Sequence, residues 1–175
     1  EPLGVVIPAD VEDAGAGVRW CAENNVAILP RGGGTSLAGQ CTSRAVVFDM
    51  SAKCRGIKPI EVAAGMPYAA TVWVEPGATV DEINRELSAR GHQLFFAPDP
   101  ATSAQAAIGG CIGNNSAGGR SIRYGRTSEN ITALDVLLTT GERVTLGPGA
   151  GARDPTARRL GARMIEIATQ HADLI

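Results

Sequence analysis

A chain of 175 residues is long enough to bury the core of one domain. Its 16 basic and 18 acidic residues nearly cancel, and this balance gives no support to nucleic acid or an anionic membrane as a partner. No apolar run reaches the length of a membrane span, and neither the four cysteines nor the two histidines have the spacing of a metal site.

The first fifty residues predict short strands and one helix. Residues 4–8 form an apolar run, Asp10 can cap a helix that continues to about Asn24, and residues 26–30 form a second apolar run. A strand, a helix and a strand in so short a stretch indicate a βαβ unit, which favours a parallel pair of strands. Residues 45–50 predict another strand.

The remainder predicts two antiparallel hairpins and two helices. The hairpins cover residues 57–75, with a turn at 64–67, and residues 131–146, with a turn at 140–142. Thr79 and Glu82 form a capping box for a helix that ends at Gly91, and Asp154-Pro155 begins the last helix. The apolar face expected on that last helix is Leu160, Met164, Ile167, His171 and Leu174. The predicted fold class is therefore α+β, with an N-terminal βαβ subdomain and an antiparallel-sheet subdomain.

Glycine is over-represented, with 22 residues, and it is concentrated in two windows: four glycines lie in residues 31–40 and six in residues 109–125. The first window follows the second strand and reads RGGGTS at residues 31–36. It lacks the lysine of a P-loop, and Leu37 stands where a dinucleotide fingerprint needs glycine. Three glycines can nevertheless curl their N–H groups around an anion, with two hydroxyls and Arg31 beside them. The alternative is a tight strand-to-helix turn.

The second window lies in a longer segment, residues 98–131. Between Pro100 and Ser128 it contains no Asp or Glu, whereas it contains Arg120, Arg123 and Arg126. Such a segment suits a large anionic, polar ligand, and the alternative is a solvated surface loop. Taken together, the two segments predict a ligand with a pyrophosphate and an extended polar body, either a flavin or a nicotinamide dinucleotide. Asp99, between two prolines, is expected only to shape a turn.

Four motifs, in this order, resemble the FAD-binding domain of FAD-linked oxidases of the D-lactate dehydrogenase and glycolate oxidase subunit type, in the vanillyl-alcohol oxidase superfamily. The motifs are RGGGTSLAGQ, VEPGATVDEIN, FFAPDP and IGGCIGNNSAGGRSIRYG. The resemblance extends from about Leu3 to about Gly147 and implies a PCMH-type FAD-binding fold. It also implies that residues 1–175 are the FAD-binding domain of a longer flavoprotein. The start at Glu1, without a methionine, favours the same expectation.

The resemblance implies a set of FAD-binding residues and no catalytic residue in this chain. The loop would hold the pyrophosphate through its backbone, and the second segment would follow the ribityl chain towards the isoalloxazine. Thr35 stands where some relatives attach FAD to a histidine, so non-covalent FAD is expected. The residues are Arg31, Gly32, Gly33, Gly34, Thr35, Ser36, Pro98, Thr102, Gly109, Gly110, Asn114, Ser116, Gly118 and Ile131.

The resemblance further implies a flavin-dependent dehydrogenase of a small 2-hydroxyacid in the full protein. A hydride would pass from the substrate α-carbon to flavin N5, and the catalytic base would belong to a substrate cap domain absent from these residues. An iron–sulfur domain or another acceptor would take the electrons. The expected location is the cytoplasm, with the inner face of the membrane as the alternative for the full protein.

Two other functions remain open from the residues alone. One is a non-catalytic nucleotide- or phosphate-binding module. The other is an NAD-dependent Rossmann enzyme, which is disfavoured because Leu37 breaks the fingerprint and the two predicted hairpins do not suit a wholly parallel sheet.

Overall fold

The computed structural model describes residues 1–62, 70–89 and 94–174. The chain divides into two compact units, Glu1–Ile131 and Thr132–Ile175. The first unit contains β1 Gly4–Val6, α1 Val11–Glu23, β2 Ile28–Arg31, β3 Val46–Asp49, β4 Glu61–Val62, β5 Ala70–Thr71, α2 Val80–Ala89, α3 Ile108–Gly113, α4 Ser121–Tyr124 and a 3-10 helix, Thr127–Asn130. The second unit contains β6 Leu134–Leu137, β7 Arg143–Leu146, α5 Ala150–Arg153 and α6 Pro155–Gln170.

The N-terminal strands form a parallel sheet in the order β1-β3-β2. The βαβ unit is present, but the prediction that its two strands pair directly is wrong, because β3 lies between them. Val47 and Phe48 of β3 are both buried although they point to opposite faces. Such a strand suits the centre of a parallel sheet, where both faces are covered.

Helix α1 lies on one face of this sheet. Asp10 caps the helix by accepting a hydrogen bond from the backbone N–H of Asp13 at 2.8 Å. Gly17 permits close contact with the sheet, since a Cβ there would lie 2.8 Å from Phe48 Cε1. The predicted helix and its cap are confirmed.

The predicted hairpin at 57–75 is present as an antiparallel pair, with Glu61 opposite Thr71 and an isolated bridge between Ile57 and Val74. Its expected turn at 64–67 lies outside the described residues. Helix α2 begins at the predicted capping box, because Thr79 N–H donates to Glu82 Oε2 at 2.9 Å and Glu82 N–H donates to Thr79 Oγ1 at 3.3 Å. The predicted stop at Gly91 also lies outside the described residues. Helix α2 contributes to a core of Ala78, Val80, Ile83, Leu87, Ala106, Ile108 and Cys111.

Replacing Glu82 with glutamine is expected to make the free energy of unfolding less dependent on pH at acidic pH. Burial raises the pKa of Glu82, but hydrogen bonds from Thr79 and Arg55 outweigh this effect and hold the pKa below its ordinary value of 4.5. The stabilisation is therefore present above the ordinary pKa and is lost as the pH falls through the lowered native pKa.

Urea-unfolding free energies measured from about pH 7 to about pH 3 test this expectation. The wild-type chain should lose stability more steeply than the Glu82→Gln variant. Equal slopes for the two chains would contradict it.

The second unit is a hairpin followed by helices. Strands β6 and β7 pair with Leu134 opposite Leu146, and Gly141 in the turn has φ +79°, so the predicted hairpin is confirmed. Asp154 caps α6 by accepting hydrogen bonds from the N–H groups of Thr156 at 2.7 Å and Ala157 at 3.2 Å, as predicted. The short helix α5 was not predicted.

The apolar face expected on α6 is largely exposed. Met164 is 67% exposed, Ile167 is 40% exposed and His171 is also exposed, whereas the buried residues of the helix are Thr156 and Ala157 in its first turn. Of α6, only this first turn supplies buried residues, and Ala157 packs there with the buried Val144 and Ala150 of the second unit.

Among the described residues, no helix combines the length and the apolar character needed to cross a membrane.

Candidate functional site

The glycine loop follows β2 at the carboxyl edge of the parallel sheet, as predicted. Across residues 32–37, no backbone N–H group donates a hydrogen bond to another residue of the described chain. Gly34 has φ +68°, a conformation that glycine adopts without strain. A run of free, partly exposed amide donors is the arrangement that binds an anion in a nest.

The glycine loop packs directly against the second glycine segment. A Cβ on Gly33 would lie 1.8 Å from the carbonyl oxygen of Gln105, and a Cβ on Gly32 would lie 2.8 Å from Ala107 Cβ and 4.0 Å from the Gly110 nitrogen. Folding thus brings together the two segments that were paired on composition alone. The glycines at 32 and 33 are required by this close backbone approach.

Two neighbouring glycines of α3 have different surroundings. A Cβ on Gly109 would lie 2.8 Å from Pro76 Cβ, and the Gly109 N–H donates to the Pro76 carbonyl at 3.0 Å, so Gly109 faces the protein. Gly110 is exposed and a Cβ there would meet nothing within 4 Å. Of the two predicted contacts, only Gly110 presents an open surface to a ligand.

The second segment forms short helices over part of its length, whereas the alternative suggested by its composition was a solvated surface loop. It contains α3, α4 and the 3-10 helix. Thr127 Oγ1 donates to the Ser116 carbonyl at 2.8 Å, and the Ser128 N–H donates to Asn115 Oδ1 at 3.0 Å. Asn115 has φ +45°, which reverses the chain immediately after α3. Asn114 is exposed there and Ser116 is half-buried.

Asp99 joins two parts of the predicted site. Its Oδ1 accepts a hydrogen bond from the Arg120 N–H at 2.9 Å, and a Cβ on Gly118 would lie 2.1 Å from the Asp99 carbonyl oxygen. Gly118 therefore packs against Asp99, the residue that follows the buried Pro98. Only a turn was expected at Asp99, because nothing in the sequence relates positions 21 residues apart.

The remaining predicted residues lie at the margins of this arrangement. Thr102 is exposed, and its carbonyl accepts hydrogen bonds from the N–H groups of Gln105 at 2.8 Å and Ala106 at 2.7 Å. Thr35 is half-buried, and Ser36 Oγ donates to Gln40 Oε1. Ile131 ends the first unit after the 3-10 helix, and none of the hydrogen bonds among the described residues joins it to the glycine loop.

Cys111 is the cysteine of the second segment. Burial raises the pKa of the Cys111 thiol, and a hydrogen bond with Ser116 offsets this only in part. Cys111 is therefore a neutral, small side chain in the core below the second segment. Within residues 1–62, 70–89 and 94–174 no group of three His, Cys, Asp or Glu side chains could hold a metal ion.

The donor set fits a dinucleotide. Free amide N–H groups in residues 32–37 supply neutral donors for a pyrophosphate, and the adjoining segment supplies glycine, hydroxyl and amide groups without an acid from residue 101 to 127. Gly110 leaves space beside the loop for close approach of a ligand. These features suit a large anionic cofactor bound mainly by backbone groups.

Comparison with known proteins also indicates a dinucleotide-binding domain, one that binds FAD. Residues 2–147 match the family described as FAD binding domain. A D-2-hydroxyglutarate dehydrogenase of Pseudomonas putida is 34% identical over 146 residues, which are 82% of this chain and 14% of that protein. The glycolate oxidase subunit GlcD of Bacillus subtilis is 30% identical over 147 residues, which are 83% of this chain and 30% of that protein. The chain thus spans less than a third of these relatives.

Solved structures support the fold. A chitooligosaccharide oxidase matches with a TM-score of 0.69 at 20% identity, covering 87% of this chain and 31% of that chain. An alkyldihydroxyacetonephosphate synthase matches with a TM-score of 0.68 at 23% identity, covering 82% of this chain and 26% of that chain. The predicted α+β, PCMH-type fold is confirmed. The family match over residues 2–147 covers most of the chain, including the glycine loop and the second segment. The chain therefore belongs to the FAD binding domain family.

Proposed function

We propose that this chain is the FAD-binding part of a flavin-dependent 2-hydroxyacid dehydrogenase. The observation that carries the proposal is the run of free amide N–H groups in residues 32–37, packed against an acid-free segment. The names of the relatives, D-2-hydroxyglutarate dehydrogenase and glycolate oxidase subunit, support the substrate class. A non-catalytic phosphate-binding module would not need the second segment.

The residues of this chain bind and orient the cofactor. Residues 32–36 would hold the pyrophosphate through backbone N–H groups, and Gly110, Asn114 and Ser116 would line the path of the remaining cofactor. When bound, the flavin supplies the acceptor for a hydride from the substrate α-carbon. Thr35 stands where some relatives have the histidine that attaches FAD, so we expect FAD to be held without a covalent bond.

We assign no catalytic residue to this chain. Groups that bind the hydroxyacid carboxylate and accept its hydroxyl proton would belong to other parts of the full protein, as would the electron acceptor, for example an iron–sulfur domain. A cytoplasmic location is part of the same proposal, because three of the four free cysteines are buried as ordinary core thiols.

Reconstitution with FAD tests the proposal. The purified chain, mixed with FAD and passed through a gel-filtration column, should retain a flavin absorption spectrum, and acid should release the flavin into the supernatant. FMN, which lacks the adenylate half, should be retained less well, because the pyrophosphate contact is then incomplete. A colourless chain after FAD treatment, or ADP binding as tight as FAD binding, would contradict the proposal.

A further inference from the structure

Arg31 and Asp49 link the ends of two neighbouring strands. Arg31 is the last residue of β2, Asp49 is the last residue of β3, and the two residues stand opposite each other in the parallel register. Arg31 Nη1 donates to Asp49 Oδ2 at 2.6 Å. The arginine expected to place its charge at the mouth of the loop is therefore paired with a carboxylate.

The carboxylate of Asp49 is itself held in place. Its Oδ1 accepts hydrogen bonds from the Ser51 N–H at 3.0 Å and from Ser51 Oγ at 2.5 Å. Burial raises the pKa of Asp49, but the bonds from Ser51 and the charge of Arg31 outweigh this effect and lower the pKa. Asp49 is thus an ionised, oriented acceptor for the guanidinium.

The guanidinium of Arg31 also lies beside Gly34 of the glycine loop, in the space where a Cβ would project. A Cβ on Gly34 would lie 2.7 Å from Arg31 Nη2 and 3.2 Å from Arg31 Nε. Gly34 is the loop residue with φ +68°, so the guanidinium lies beside the backbone at the point where the loop turns.

We propose that Arg31 is a positioning residue. Asp49 holds the guanidinium of Arg31 against Gly34, and this contact keeps the glycine loop in the conformation that presents the N–H groups of residues 32–36 to the cofactor. This inference rests on the proposed FAD binding. It assigns to Arg31 a role different from direct neutralisation of phosphate charge, because the charge of Arg31 is balanced by a carboxylate 2.6 Å away.

The Asp49→Asn variant separates the two roles, because one predicts weaker FAD binding and the other predicts tighter FAD binding. Asparagine can still accept the bonds from Ser51, but it removes the negative charge that anchors Arg31. If Arg31 positions the loop, FAD should bind about tenfold more weakly, which is the loss expected of a partly exposed, charge-assisted contact. If Arg31 instead binds phosphate directly, the freed guanidinium should make FAD bind more tightly.

A matched control removes an equal charge elsewhere. Asp135 accepts from Arg143 Nη2 at 2.5 Å in the second unit, so Asp135→Asn also breaks an Asp–Arg pair and changes the net charge by the same amount. Fluorescence titration with FAD should show unchanged affinity for this control. An equal loss of affinity in both variants would overturn the inference, because the effect would then follow net charge alone.

The FAD-free chain provides a second readout. Backbone 15N order parameters of residues 32–36 should be lower in Asp49→Asn and in Arg31→Met than in the wild type, and Arg31→Lys should recover part of the order and part of the FAD affinity. Unchanged order parameters in both variants would overturn the inference even where FAD affinity falls. If the wild-type chain itself binds no FAD, the proposed function fails, while the order parameters still decide whether Arg31 holds the loop in place.

Discussion

Replacing Gly110 with leucine is expected to weaken FAD binding strongly while leaving the FAD-free chain at least as stable as the wild type. Gly110 lies inside α3, where leucine is favoured over glycine by up to about 1 kcal/mol. A Cβ there meets nothing within 4 Å, so the fold accepts the new side chain. The leucine would instead occupy the space beside Gly32 that the cofactor needs. We expect a loss of about tenfold to a hundredfold in affinity, equivalent to the 1–3 kcal/mol of an overpacked contact.

Gly113 provides the control for this prediction. It lies in the same helix, it is exposed, and a Cβ there also meets nothing within 4 Å, but it is not among the predicted cofactor contacts. Gly113→Leu should therefore keep wild-type FAD affinity in a fluorescence titration, with a thermal midpoint close to that of Gly110→Leu. If both variants bind FAD like the wild type, the cofactor does not pass beside Gly110.

Replacing Gly33 with valine is expected to destabilise the FAD-free chain and, as a consequence, to abolish FAD binding. The new Cβ would lie 1.8 Å from the carbonyl oxygen of Gln105 and 2.7 Å from its carbonyl carbon, so one of the two segments must move. We expect a loss of about 3 kcal/mol or more in the free energy of unfolding. The thermal midpoint should fall by roughly 6–12 °C for a chain of this size.

Thermal unfolding without FAD measures this effect, and Gly4→Val serves as the control, because a Cβ on Gly4 meets nothing within 4 Å. An unchanged midpoint for Gly33→Val would show that contact with Gln105 is not what requires glycine. The loss of FAD binding expected for Gly33→Val thus follows from disturbed packing of the two segments, so Gly110→Leu is the more informative test of contact with the cofactor.

Local signals in the sequence predicted the ends of elements well. The bond from Asp13 to Asp10, the reciprocal bonds of Thr79 and Glu82, and the cap at Asp154 each join residues two or three positions apart. Such bonds depend on the backbone conformation of one helical turn, so the residue types at fixed spacing are sufficient to predict them. The hairpin in the second unit was predictable for the same reason, because its strands are close in sequence.

The pairing of strands was less predictable. The position of β3 between β1 and β2 depends on which strand can be covered on both faces, and that is a property of the whole sheet. The apolar spacing on α6 indicated a helix correctly but did not indicate burial, since periodicity shows that a face exists and not what covers it.

The candidate site shows the same division. By itself the sequence determined that two glycine-rich segments exist, that one lacks acids over residues 101–127, and that their motifs resemble those of an FAD-binding domain. Only the tertiary structure decided that Gly33 packs on Gln105, that Asp99 binds Arg120 and that Arg31 is paired with Asp49 behind the loop. These contacts join residues 18 or more positions apart, and their geometry is set by the packing of strands and helices between them, which no local spacing encodes.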